Sequence, residues 1–569
     1  MTRLLTFVAA SMLLLSACSR APVGNSAAGA GNTLLRGVSS EPDSLDPQRA
    51  RSVDAQTILR DICEGLTSLD HAADPVPGVA DKWEVSPDGR QYTFHLRPDA
   101  RWSNGDRVVA GDFVAALRRL VDPTTASAYA QIVDVIVNAG DIVTGRQAPD
   151  TLGVTSPDDA TVVIQLNSPA PYLPSLLAHP STCPIHRPTL AQHPDQVAKP
   201  GVMVSDGAFV LKEWVQGSHI LAVRNRHYWN DAATRLDAVK YLPISDENAE
   251  LTRYRAGGLH ITSVVPRGQF DWIRANLASE WHVSPQLDTY YYGFNLNRAP
   301  FKDQPGVRRA LSLVIDRELL AERVLRVGEL PAYGWVPPGV HDYTAQSFDY
   351  RGKPMADRIA EARRLYAEAG YSKEKPLRFE LRYNAAEVHT KLAVAIASMW
   401  KDALGAQVSL VAVEFKALLQ DIDQDDVEMF RLSWAGDYND AYSYAQYLTS
   451  SFPINLPHYH SEQYDGLVAA AAAETDTRRR REKLQQAEAM MLHDHPLIPI
   501  YFYVNKHLVK PQVQGWYDNL LDVVYSKDLA LRTAAPSAAA APASASPASP
   551  APAARTARAK TLSGALAPQ

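Results

Sequence analysis

The sequence predicts an α/β protein with more than one β-sheet. Short runs alternate apolar and polar residues, longer runs carry helical spacing, and the two kinds interleave without a tandem repeat. Tyr92-Thr-Phe-His-Leu-Arg97 alternates with period two just after the turn residues Ser86-Pro-Asp-Gly89, which reads as a hairpin. Residues 161–166 form a second β-rich run. Helical spacing covers residues 112–120 and 307–325, and 355–370 reads as a helix stopped by glycine, followed by a strand over 377–383. Residues 429–434 are strand-like. Residues 474–493 form a long helix whose Arg478 to Arg481 run is read as a solvated face.

Size and charge narrow the class. The chain has 569 residues, 46% hydrophobic and 21% charged, enough for roughly two to four domains with buried cores. Its net charge is -6, with 57 basic against 63 acidic residues and no basic stripe, which argues against a nucleic-acid partner.

Both ends differ from the body. Arg3 precedes an apolar run from Leu4 to Leu15, too short to cross a hydrocarbon core of ~30 Å, so residues 1–17 read as a cleavable export signal. The run closes on Leu15-Ser16-Ala17-Cys18, which resembles a bacterial lipobox. That resemblance makes Cys18 the lipid anchor and 18–32, rich in small residues, a flexible tether. Residues 534–569 are Ala, Pro and Ser with scattered basic residues, a composition that cannot offset its ordering entropy, and are expected to be disordered. With Cys18 acylated, Cys63 and Cys183 remain. Two separate buried thiols are the default in a chain this large, and a bridge is the alternative that spacing leaves open.

Enzyme motifs are missing from the sequence. It contains no G-x-S-x-G elbow, no phosphate loop and no H-E-x-x-H zinc helix, and its cysteines have no C-x-x-C spacing. His458 with His460 and His493 with His495 form two H-x-H pairs, each without a persuasive third ligand. No catalytic residue, metal or cofactor is assigned. An exported metal-dependent hydrolase using these histidines is the alternative from another class.

A set of ordered motifs carries a family resemblance. They are Glu41-Pro-Asp-Ser-Leu-Asp-Pro47, Glu64-Gly-Leu66, Pro77-Gly-Val-Ala-Asp-Lys-Trp83, Trp102-Ser-Asn-Gly105, Val307-Arg-Arg-Ala310, Ile315-Asp-Arg317, Pro331-Ala-Tyr-Gly-Trp335, Trp434-Ala-Gly-Asp-Tyr-Asn439 and Pro499-Ile-Tyr-Phe-Tyr-Val-Asn505. In this order, over residues 33 to 530, the chain resembles the peptide-binding members of the family 5 extracellular solute-binding proteins. The resemblance implies a two-lobed periplasmic-binding-protein fold with an extra domain on one lobe and hinge closure on a ligand. It divides the chain into lobe I (33–63, 188–288 and 505–533), extra domain II (64–187) and lobe III (289–504). It also implies a monomer that hands short peptides, about two to five residues long, to a membrane ABC permease and its ATPases.

Site residues follow from the chemistry of such a ligand, whose buried charges each need a partner. By resemblance, Asp437 takes the peptide ammonium, and Arg431 and His389 take the carboxylate, Arg431 through its planar fork of donors. The peptide backbone is expected to pair with main chain around 434–437 and near Asn455. Tyr129, Tyr291, Phe415, Trp434 and Tyr503 match family pocket positions. The chain also departs from the pattern. Ala435 and Asp288 stand where enteric-type relatives pair two cysteines, Arg51 replaces an acidic ligand-facing position, and Phe415 replaces a frequent tryptophan. Arg51 suits acidic side chains or an extra carboxylate, as in murein peptides. The same fold binding murein peptide, dipeptide, haem or chelated metal is the alternative within the family.

Overall fold

Alternating strands and amphipathic helices resolve into three main sheets, each over its own apolar core, in a computed structural model that describes residues 32–436 and 438–532. The expected signal segment, Cys18, nearly all of the tether, Asp437 and the C-terminal tail lie outside the described residues.

The first sheet orders strands Thr33–Val38, Ala238–Pro243, His219–Arg224 and Phe209–Val215, with the first pair parallel and the others antiparallel. Leu34, Ile58, Phe209, Ile220 and Tyr241 share its core. The second sheet is antiparallel, in the order Ala80–Val85, Gln91–Leu96, Thr161–Gln165, Val154–Asp158. The expected hairpin is its first pair, and Gly89 closes the turn at φ 69, a conformation glycine adopts without steric cost. Helix Ala110–Val121 covers this sheet with Phe113, Leu117 and Leu120.

The third sheet has six strands, in the order Leu330–Pro331, Leu497–Leu508, Trp281–Phe294, Met429–Ala435, Arg378–Asn384, Gln407–Val413. Its two long members, Trp281–Phe294 and Leu497–Leu508, run antiparallel and continue past the sheet. Their outer ends, Trp281 and Leu508, pack with Tyr254, Leu259 and Phe270, while Tyr290, Tyr292, Leu497 and Tyr501 belong to the core of the third sheet. The ladder loses register between Pro285 and Thr289, midway between the two cores. This strand pair therefore joins two separately packed bodies through a locally weakened ladder.

Four expectations are corrected or refined. Cys63 and Cys183 are bonded, with Cα atoms 6.1 Å apart, rather than being separate thiols. Cys63 caps helix Val53–Ile62 and Cys183 caps the turn Pro180–Thr182, so folding brings together two chain ends that sequence separation hides. The periodic run 307–325 is broken: helix Pro305–Val314 ends before Ile315, and Asp316 caps a new start by accepting from the Leu319 N–H at 2.9 Å. The arginine run is not wholly solvated, because Arg480 is buried and pairs bidentately with Asp440 at 2.8 and 2.9 Å. Finally, the histidine pairs do not converge. His458 meets Asp425, His460 meets the Ser450 hydroxyl, and the buried His495 ring stacks on Phe348. Among the described residues no group of three or more His, Cys, Asp or Glu is placed to hold a metal ion.

Candidate functional site

Strand alternation decides which side chains meet. In an antiparallel ladder, directly paired residues point to the same face. Tyr292 pairs with Arg431, Tyr290 with Ser433, and Asp288 with Ala435, so Asp288, Tyr290, Tyr292, Ser433 and Arg431 share one face of the third sheet. Thr289, Tyr291, Leu432 and Trp434 occupy the other.

Arg431 is the centre of the first face. It is buried, and its guanidinium donates to Asn384 Oδ1 at 3.0 Å and to the Tyr503 hydroxyl at 2.7 Å. The Tyr290 ring lies 4.3 Å beneath it, a cation–π contact that helps hold the charge out of water. Arg431 Nε has no hydrogen-bond partner among the described residues. A buried charged donor left open in this way is costly without a partner.

His389 reaches the same region from helix Glu387–Leu404, its ring 5.6 Å from that of Tyr290. It is buried, and Nδ1 likewise has no partner among the described residues. Burial, aided by the charges of Arg431 and Arg267, pushes the imidazole down to about 3, so it is neutral at neutral pH and offers one N–H. Asp288 shows the opposite shift. Burial pushes its carboxyl up to about 7, against the pull of Arg431 and hydrogen bonds from Ser433 and the Thr289 backbone. Its Oδ1 also has no partner among the described residues.

Main chain adds to the side-chain arrangement. Strand Arg378–Asn384 pairs with Met429–Ala435 only at Leu381↔Met429 and Arg382↔Phe430. Beyond these, positions 431–435 carry no ladder partner on that side among the described residues, leaving a short open edge beside Arg431. The segment that follows meets the second sheet's body: Tyr172 stacks on Tyr438 at 4.4 Å and on Tyr442 at 5.5 Å. The site thus sits where the third core faces the second.

The other expected residues divide. Tyr503 joins Arg431 directly. Trp434 lies on the opposite face, donates from Nε1 to Ser443 O at 3.0 Å and packs on Tyr447. Tyr291 also lies there, fully buried, with its hydroxyl on Tyr447 and its ring against Trp335. Asn455 is a loop staple, donating to Thr449 O and Tyr459 O and accepting from the Tyr459 N–H. Phe415 starts helix Phe415–Asp423 and is 48% exposed. Tyr129 packs against the second core, its hydroxyl on Arg51 O at 3.3 Å and its ring on His179. The structure brings together Arg431, His389 and Tyr503 and leaves the remainder around them at different depths. Tyr290 and Asn384, which build the site, were missed by sequence reasoning. The signal for Tyr290 was the alternation of 288–294 set against 431.

Known families and solved structures resemble the chain as a whole. The family described as bacterial extracellular solute-binding proteins, family 5 (middle part), matches residues 74–455. The periplasmic oligopeptide-binding protein OppA of Salmonella typhimurium is 39% identical over 501 residues, 87% of this chain and 92% of that protein. Among solved structures, the unliganded open form of the murein tripeptide-binding protein MppA matches with a TM-score of 0.83 and 37% identity, covering 88% of this chain and 97% of that one. Another structure of MppA, from Escherichia coli, scores 0.71. Haemophilus influenzae OppA in complex with the peptide RPPGFSPFR scores 0.68 at 36% identity, covering 88% and 99%. The two-lobed fold is shared with all of these. On sequence, length and fold together, the chain belongs to the bacterial extracellular solute-binding proteins, family 5.

Proposed function

We propose that this chain is an exported receptor that captures short peptides between its lobes and delivers them to a membrane ABC importer. The observation that carries this reading is the buried Arg431, with an open Nε, beside the open Nδ1 of His389 along an unpaired strand edge. A free peptide answers all three features: its carboxylate completes the donors, and its extended backbone extends the strand. Main-chain pairing of this kind is blind to side chains, which suits a receptor of broad menu. Asp437 takes the ammonium in this reading, and the fold needs no catalytic group. Lobe I, domain II and lobe III, as divided by the sequence, are its moving parts, and the receptor acts as a monomer. Acylated Cys18 tethers it to the membrane surface after removal of residues 1–17. Relatives named as periplasmic peptide-binding proteins support the class of ligand and the exported location.

Calorimetry with free, N-acetylated and C-amidated tri- and tetrapeptides tests this. N-acetylation and Asp437→Ala are each expected to cost roughly tenfold or more in affinity, the worth of a charge-assisted hydrogen bond. Unchanged binding by Asp437→Ala removes that assignment. Stoichiometric zinc in the purified protein would favour a hydrolase instead. Cys18→Ser is expected to release the protein from membranes.

A further inference from the structure

Asp288 is not used by this scheme. It lies on the same sheet face as Arg431, two same-face steps along the Trp281–Phe294 strand from Tyr292, the ladder partner of Arg431. At ~3.3 Å per residue, that spacing offsets the two positions by about 13 Å along the strand at the backbone, while the Arg431 charge still acts on the Asp288 carboxyl. It pairs with Ala435 on the other side of the Met429–Ala435 strand from the open edge, one strand removed from a ligand seated there. One oxygen has no hydrogen-bond partner among the described residues. Arg431 and the phenols of Tyr503 and Tyr291 are the titratable groups that sense its charge, and Ser433 hydrogen-bonds to it. No lysine or second arginine stands among these neighbours.

We infer that Asp288 is a specificity-determining acid that receives the ammonium of a ligand lysine side chain, on the sheet face it shares with Arg431. The inference rests on the peptide reading above. A carboxyl that burial holds near neutrality is the form such a group takes while empty. A ligand ammonium placed against it restores the ionised state and expels a proton. Asp437 takes the peptide's amino terminus in that reading, so the ammonium left for Asp288 is that of a lysine side chain.

The full chain and its Asp288→Asn variant, which keeps the side chain's shape, are titrated with Ala-Ala-Ala, N-acetyl-Ala-Ala-Ala and Ala-Lys-Ala by calorimetry. Each titration is run in two buffers of different ionisation enthalpy at pH 7. If Asp288 takes a lysine, Ala-Lys-Ala binds wild type about tenfold tighter than Ala-Ala-Ala, releases about half a proton more, and loses both differences in the variant. A variant that weakens Ala-Ala-Ala about tenfold and leaves the acetylated peptide's affinity in place would put Asp288 at the amino terminus in place of Asp437 and overturns the inference. Asp288→Glu, which keeps the charge, retains the lysine preference. Equal loss for all three peptides makes Asp288 a support for Arg431 and overturns the inference, as does no change for any. Failure of all three to bind wild type overturns the peptide reading first, and this inference with it.

Discussion

Arg431 gives the sharpest test of the proposed carboxylate site, because its other bonds are known. Arg431→Gln removes the charge and also strands Asn384 Oδ1 and the Tyr503 hydroxyl, which accept from it at 3.0 and 2.7 Å. A simple loss of affinity would therefore mix two effects. The stranded acceptors, however, are the same whichever ligand is added. A cycle crossing wild type and Arg431→Gln with a tripeptide free acid and its amide cancels that common cost. What remains is the coupling between guanidinium and carboxylate, about 1.5–3 kcal/mol for a charge-assisted bond in a shielded place, or roughly ten- to a hundredfold in Kd. The free acid is expected to lose that much more affinity than the amide when Arg431 is changed. His389 still donates one neutral N–H, so binding of the free acid is weakened and not abolished. Calorimetry on the four combinations reads the coupling directly. Equal losses for acid and amide would refute the reasoning and reduce Arg431 to a strut between Asn384 and Tyr503.

Two further predictions concern the scaffold. The Cys63–Cys183 bond closes a loop of 120 residues, and loop-closure entropy of that size is worth up to about 5 kcal/mol. The double Cys→Ser variant is expected to unfold at lower urea concentration, most strongly in the body holding helix Val53–Ile62, and reducing agent is expected to shift wild type but not the variant. His389, His179 and His495 are each pushed down to about 3 by burial, so their imidazoles should stay neutral by NMR at pH 5, where exposed histidines have charged. Because their folded pKa lies below the unfolded value near 6.5, unfolding takes up protons. Their contribution to stability is whole above about pH 6.5 and declines as pH falls toward 3. A His389 midpoint above pH 6 would contradict the burial described.

Much of the fold was legible because it is written locally. Alternation over Gln91–Leu96, the Ser86–Gly89 turn and the glycine after helix Met355–Glu368 each act within a few residues. What escaped was set by partners far away in sequence. The apparent helix 307–325 breaks before Arg317, whose buried guanidinium donates to Pro499 O, and Arg480 left the solvated face to pair with Asp440. No local period in either segment reveals these partners. The site shows the same limit. Motif order identified Arg431, His389 and Tyr503, which do meet, but it carried no information on strand parity. It therefore grouped Tyr291 and Trp434 with Arg431, though the ladder turns them to the opposite side of the sheet.

The Tyr172 stack on Tyr438 and Tyr442 has a mechanical consequence when taken with the long strand pair. The strand pair ties the third core to the body that holds Tyr254 and the stack ties it to the second core, so where those two move together one easy motion is left, a rotation about the line through the attachments. Occupancy is then written into a single angle. A ligand that completes every contact but props that angle open is held without being presented, so the peptides bound most tightly need not be those handed on fastest. Retention and delivery become separable properties of one surface, ranked by different features of the same peptide.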